Sequence, residues 1–97
     1  MARAGNIRDR EERREAVRSY EAIRQAARTS GKADSAISKA IGKSANFIYT
    51  TIYKKSDSQA QTIAAIAREC GYRLALVPCG AAMPEGSIEI EGEDGED

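Results

Sequence analysis

Residues 34–53 run Asp-Ser-Ala-Ile-Ser-Lys-Ala-Ile-Gly-Lys-Ser-Ala-Asn-Phe-Ile-Tyr-Thr-Thr-Ile-Tyr, and this stretch decides the fold. From Asp34 to Ile41 the apolar set is Ala33, Ile37, Ala40 and Ile41, spaced for one face of a short helix. From Ser44 or Ala45 to about Lys54 a second helix is expected, with Phe47, Ile48, Thr51 and Ile52 on its core side. Gly42-Lys43-Ser44 lies between them as a tight turn. A turn of this kind needs a residue that tolerates positive φ, and Gly42 is that residue. Two short helices joined in this way have the helix-turn-helix layout.

The other side of the second helix carries Asn46, Tyr49, Thr50 and Tyr53. It holds no acid, and every side chain on it can hydrogen-bond. A helix lying in the major groove needs such a face. Asparagine can pair with adenine N6 and N7, threonine can meet a thymine methyl or a base edge, and tyrosine hydroxyls can reach phosphates or bases. With Ser44 and Ala45 at the expected start of the helix, these residues form the candidate base-contacting set: Ser44, Ala45, Asn46, Tyr49, Thr50 and Tyr53. The competing account is that Tyr49 and Tyr53 pack against the first helix or a partner. The candidate phosphate contacts are Ser35, Lys39, Lys43, Lys54 and Lys55. Any one of these lysines is equally well explained as a solvated side chain. As a group they form a positive footprint, because no acid occurs between Asp34 and Asp57.

On the N-terminal side, Asp9 and Glu12 have capping-box-like spacing, and a helix is expected from there to about Thr29. Its narrow apolar stripe is Val17, Tyr20, Ile23 and Ala27. Its Arg- and Glu-rich sides read first as a solvated face, with Glu15/Arg18 and Glu21/Arg24 spaced for weak surface bridges. On the C-terminal side, Ser58 is a plausible N-cap for a helix to Cys70, built on Ile63, Ile66, Ala67 and Cys70. After Gly71 the period changes to two. Tyr72, Leu74 and Leu76 alternate with Arg73, Ala75 and Val77, which predicts a short strand ending at Pro78. Residues 87–91 alternate again and are a candidate second strand, and 91–97 form an apolar-free acidic tail expected to be disordered. The expected organisation is a flexible N-terminus over 1–8, a helix-turn-helix domain with a C-terminal strand over 9–77, and a loop, second strand and acidic tail over 78–97.

The stretch 34–53 resembles the helix-turn-helix of the phage-repressor family, the Cro-like or XRE type. Ile37, Ile41, Gly42 and Ile48 stand where that family places its packing residues and turn glycine. Helix 58–70 with Gly71-Tyr72 resembles the family's next helix, so the likeness covers roughly residues 16–72. Asp34 stands where Gln is usual, Ser38 where Ala is usual, and Lys43 where the turn has an apolar residue. Thr51 replaces an Ile or Leu, with Ile52 beside it to take over that packing role. The resemblance implies a four-helix domain whose second reading helix enters the major groove, and a repressor or autoregulator of the phage, plasmid or toxin–antitoxin kind.

Charge and composition narrow the alternatives. The 15 basic and 15 acidic side chains cancel, but unevenly. Residues 1–55 hold 13 basic and 6 acidic ones (+7), and residues 56–97 hold 2 and 9 (−7). This asymmetry suggests a basic binding body with an acidic tail that competes with phosphate. Histidine is absent, which removes the commonest general base and zinc ligand. Cys70 and Cys79 are too few to close a structural metal site alone and are expected to be free thiols, Cys70 in the core. No enzyme activity, metal or cofactor is expected. No apolar run approaches the ~18 residues of a membrane span, and the start lacks a secretory h-region, so a cytoplasmic chain without membrane contact is expected. The fold class is therefore mainly α, a four-helix helix-turn-helix domain with a short C-terminal strand or hairpin. The function expected is a sequence-specific regulator of double-stranded DNA acting as a homodimer, paired through Tyr72, Leu74 and Leu76 on the strand edge. The rival is a protein-interaction module such as an antitoxin, binding a toxin or other protein partner.

Overall fold

The computed structural model describes residues 16–92. Among them are four helices: α1 (Ser19–Ser30), α2 (Asp34–Ala40), α3 (Phe47–Lys54) and α4 (Ala60–Glu69). The chain is mainly helical, as the sequence predicts, and the described residues hold no β-sheet. The expected flexible segment 1–8 and the end of the acidic tail, 93–97, lie outside the described residues.

The core is small and built from isoleucine and alanine. Ile23, Ala26 and Ala27 of α1 meet Ile37 of α2, Ile48 of α3, and Ile66 and Cys70 at the end of α4. Ile41, Phe47, Ile52, Ile63, Tyr72 and Ile88 close its rim. The alanines on α1 let neighbouring helices approach closely, while the isoleucines supply the apolar area. Ile37 and Ile48 are fully enclosed, and burying each stabilises the fold by about 1.5–3 kcal/mol. Cys70 belongs to this core, and its burial pushes the thiol's pKa upward.

Three expectations are corrected. The first helix does not run unbroken from residue 9 to Thr29: residues 16–18 are not helical, and Arg18 has extended dihedrals of φ −66° and ψ 157°. Val17 therefore leaves the predicted stripe, and the buried side of α1 is Ser19, Ala22, Ile23, Ala26 and Ala27. The second correction concerns Ser58, which lies one residue outside the N-cap of α4; Gln59 occupies that position.

Third, Tyr72–Val77 forms neither a strand nor a hairpin. A strand needs a partner for its backbone, and none of the described residues pairs with this segment. Residues 87–91 go elsewhere. Ile90 forms an isolated parallel bridge with Val17. In that bridge the Val17 amide donates to the Glu89 carbonyl at 2.8 Å, and the Glu91 amide donates to the Val17 carbonyl at 2.8 Å. The C-terminal segment thus returns to the entrance of α1, and Ile88 packs on the core rim.

That entrance is fixed by Asp57, from the loop between α3 and α4. Its carboxylate accepts from the Ser19 hydroxyl at 3.0 Å and pairs with Arg18 at 3.0 Å. The serine hydrogen bond first, and the Arg18 guanidinium next, hold the Asp57 carboxyl below the ordinary aspartate range. A depressed native pKa means that ionised Asp57 stabilises the fold above its unfolded pKa, and that this contribution disappears as pH falls through the native pKa. We expect Asp57→Asn to lower the melting temperature at neutral pH. The gap from wild type should narrow as the solution is acidified below the ordinary aspartate range. Parallel melting curves across that pH range that never converge would remove Asp57 as the source.

Candidate nucleic-acid interface

The joint between α2 and α3 is set by two backbone devices and one side chain. At the end of α2 the Gly42 amide donates to the Lys39 carbonyl at 3.0 Å, and the Lys43 amide donates to the Ser38 carbonyl at 2.9 Å. This pair of bonds is a Schellman closure. It puts Gly42 at φ 81°, the left-handed region that glycine enters without a Cβ penalty. At the start of α3 the Phe47 amide donates to the Ser44 carbonyl at 3.0 Å. The next amide, of Ile48, has no partner within its own helix and donates instead to the Ser38 hydroxyl oxygen at 3.1 Å. That hydroxyl donates in turn to the Asp34 carbonyl at 2.8 Å.

Ser38 on α2 therefore caps α3 from across the joint. It is fully buried. Asn46, at the N-cap position, makes no capping bond with its side chain. Asn46 sits at helical dihedrals, φ −88° and ψ 0°, rather than the extended ones of a side-chain cap, and its side chain is left uncommitted and exposed. Ser38 is the position that departs from the usual Ala of the resembled family, and here the departure closes the joint.

α3 begins at Phe47, later than the sequence suggests. Ser44 and Ala45 consequently sit in the turn, and Asn46 marks the boundary. A base-contacting role for Ser44 and Ala45 on the helix itself is corrected to a position in the loop before it. The reason is the bond from Phe47 to the Ser44 carbonyl, which tightens this stretch into a turn. The core side of α3 holds Ile48 and Thr51 buried with Phe47 and Ile52 half-buried. Thr51 keeps its own core place, and Ile52 packs at the rim beside it.

On the outer side, Tyr49 and Tyr53 are 62% and 73% exposed. Their rings stack at 6.0 Å between centroids and 13° between planes. They are not core residues, although they hold each other in place one helical turn apart. Thr50 is half-buried. Ser35, Lys39, Lys43, Lys54 and Lys55 are all exposed around this face. The Lys43 ammonium rides 5.2 Å from the Phe47 ring centre, which fixes a cation at the start of α3. Lys55 ends the helix in a left-handed conformation at φ 55°.

The predicted pairing residues Tyr72, Leu74 and Leu76 do not come together as a strand edge. Tyr72 is half-buried at the end of α4, where its amide donates to the Ala67 carbonyl at 2.8 Å. Leu74 is 43% exposed and lines a small groove with Ala22 and Ile63, while Leu76 is wholly exposed. Sequence reasoning did not single out Ser38 as a cap or Arg28 as a neighbour of the reading face. Arg24 and Arg28 of α1, with Asp34, line a cleft of about 200 Å³ against Tyr49, Ile52 and Tyr53. The signal for Ser38 was present as a polar residue on an otherwise apolar helix side. No family model, curated protein or solved structure matches the chain.

Ser38→Ala would leave the Ile48 amide buried without its partner. A lost bond of that kind costs about 1–3 kcal/mol. We expect a fall in stability of that size by chemical denaturation, and restoration by Thr at the same position if its methyl is accommodated. Wild-type stability in Ser38→Ala would mean that the hydroxyl does not cap α3.

Proposed function

We propose that this chain is a sequence-specific double-stranded DNA-binding regulator, a repressor or autoregulator acting as a homodimer, with α3 in the major groove. The observation that carries this reading is the uncommitted Asn46 side chain beside Tyr49, Thr50 and Tyr53, on an outer side of α3 that carries no acid of its own, with exposed lysines before and after the helix. A groove-bound helix meets base edges mainly with its N-terminal part. Asn46 and Tyr49 occupy that part, and Ser44 and Ala45 in the preceding turn lie close enough along the chain to join them. Lys39, Lys43, Lys54, Lys55 and Ser35 supply the contacts to phosphate that position the helix without reading sequence.

Asn46→Ala is expected to cost about 1–3 kcal/mol at the cognate site and little on random duplex. Lys43→Ala should weaken both alike and flatten the salt dependence by about one unit. Fluorescence anisotropy over a range of salt concentrations reads both effects. Unchanged cognate affinity in Asn46→Ala would mean that α3 is not the reading helix.

One such unit offers few base contacts, so strong specificity calls for two copies on half-sites about one DNA turn apart. The exposed apolar run Leu74, Leu76 and Val77 supports pairing through this segment, here as an unpaired chain able to form β-structure only with a second chain. The same run also suits the rival function, an antitoxin-like module that binds another protein. Because Leu76 touches little of its own chain, Leu76→Glu should leave the protomer folded, its melting temperature lowered only by the stabilisation that dimerisation supplied. It should shift the sedimenting species from dimer to monomer and weaken cognate DNA binding. A Leu76→Glu protein that still sediments as a dimer would exclude this segment as the interface.

A further inference from the structure

We propose that Arg28, with the stacked Tyr49–Tyr53 pair, forms a second backbone clamp for DNA, taking one phosphodiester and its deoxyribose in the cleft between α1 and α3. This inference rests on the groove-binding reading of α3 and extends it to residues outside the lysine frame.

The argument begins with the geometry of a helix in the major groove. Such a helix has a phosphate strand on each flank, so cations on one flank alone leave the other strand unheld. Around α3, Lys43 sits over Phe47. Ile52, Tyr49 and Tyr53, which line the cleft, lie roughly 140–240° around the helix from Phe47 at 100° per residue. Arg24 and Arg28 line that same cleft. The α1 arginines and Lys43 therefore stand on opposite flanks of the reading helix.

The two arginines are not equivalent. Arg24 is tied to Glu21 through both carboxylate oxygens, its Nε donating at 2.9 Å. Arg28, one turn on, forms no ion pair with any of the described residues and is exposed. It is the cation available to an incoming phosphate. The tyrosine rings beside it are exposed and already ordered by their mutual stacking, so a sugar edge can pack on them with little further loss of side-chain freedom. Asp34 lines the same cleft. Its charge opposes a phosphate there, and it tempers the affinity for DNA of any sequence.

The test is anisotropy on a short random-sequence duplex across a salt series, which needs no knowledge of the operator. Arg28→Gln should flatten the salt slope by about one unit, as one phosphate contact is lost. Asp34→Asn should tighten binding severalfold at low salt, with the difference shrinking at high salt. Arg68→Gln, on the exposed last turn of α4, should match wild type. Thermal melts should show all three variants folded. If Lys43→Ala flattens the slope while Arg28→Gln superimposes on Arg68→Gln, the clamp is overturned and the groove reading stands. If neither Lys43→Ala nor Arg28→Gln changes the slope, the groove reading falls and the clamp falls with it.

Discussion

The buried hydroxyl of Ser38 holds the arrangement of α2 and α3. It donates a hydrogen bond to the Asp34 carbonyl one turn back and accepts one from the Ile48 amide of the next helix. A buried amide without a partner is costly, so the start of α3 is committed to one place relative to α2. The Schellman closure at Gly42 sets the direction of the chain between the helices, and the serine sets where α3 begins. The outer face inherits its orientation from that joint. Once Ile48 points into the core at 0% exposure, Tyr49 and Tyr53 have to project outward. Asn46, at helical rather than extended dihedrals, makes no capping bond.

The rest of the chain supports this pair from behind. α1 and α4 lay alanines and isoleucines against it, and the core contains no large aromatic side chain that is fully buried. A core of that size gives modest stability, and polar ties at the edges supplement it. Asp57 fastens the loop after α3 to the start of α1, and Lys32 reaches the Glu69 carbonyl at the far end of α4 at 2.8 Å. The ion pair of Asp57 with Arg18 and the Lys32 contact are exposed and individually weak, and the Ser19 bond is partly buried. Their value lies in joining loops that the apolar contacts leave free. The return of residues 88–91 to Val17 has the same character: two backbone bonds and two half-buried isoleucines, of which Ile88 packs on the core.

Charge divides the molecule by role. The lysines around α3 lie in a stretch without acid, whereas α1 carries Arg24 and Arg28 with one glutamate, Glu21, which pairs with Arg24. The first group is available to a polyanion as a whole. In the second, pairing selects single residues: Glu21 lies at the spacing that reaches Arg24, and no carboxylate lies three or four residues from Arg28.

The sequence by itself determined that the chain is mainly helical and which isoleucines face inward, while the buried side of α1 and the start of α3 differ from its pattern. Periodicity is local: Ile37, Ile48 and Ile66 each share a helix side with another isoleucine three or four positions away, Ile41, Ile52 and Ile63 in turn, and Gly42 suits a turn that requires positive φ. The outward set Asn46, Tyr49, Thr50 and Tyr53 was legible for the same reason. Only the tertiary structure decided what depends on partners distant in the chain. The alternation in Tyr72–Val77 is a real strand pattern, yet a strand exists only when another backbone answers it, and Val17 answers Ile90 instead. Asp57 reaching Ser19, Ser38 capping Ile48, and Arg28 lying beside Tyr53 all join side chains from different elements. Such contacts are fixed by how helices cross, and the crossing follows from packing the whole core, which no window of the sequence contains.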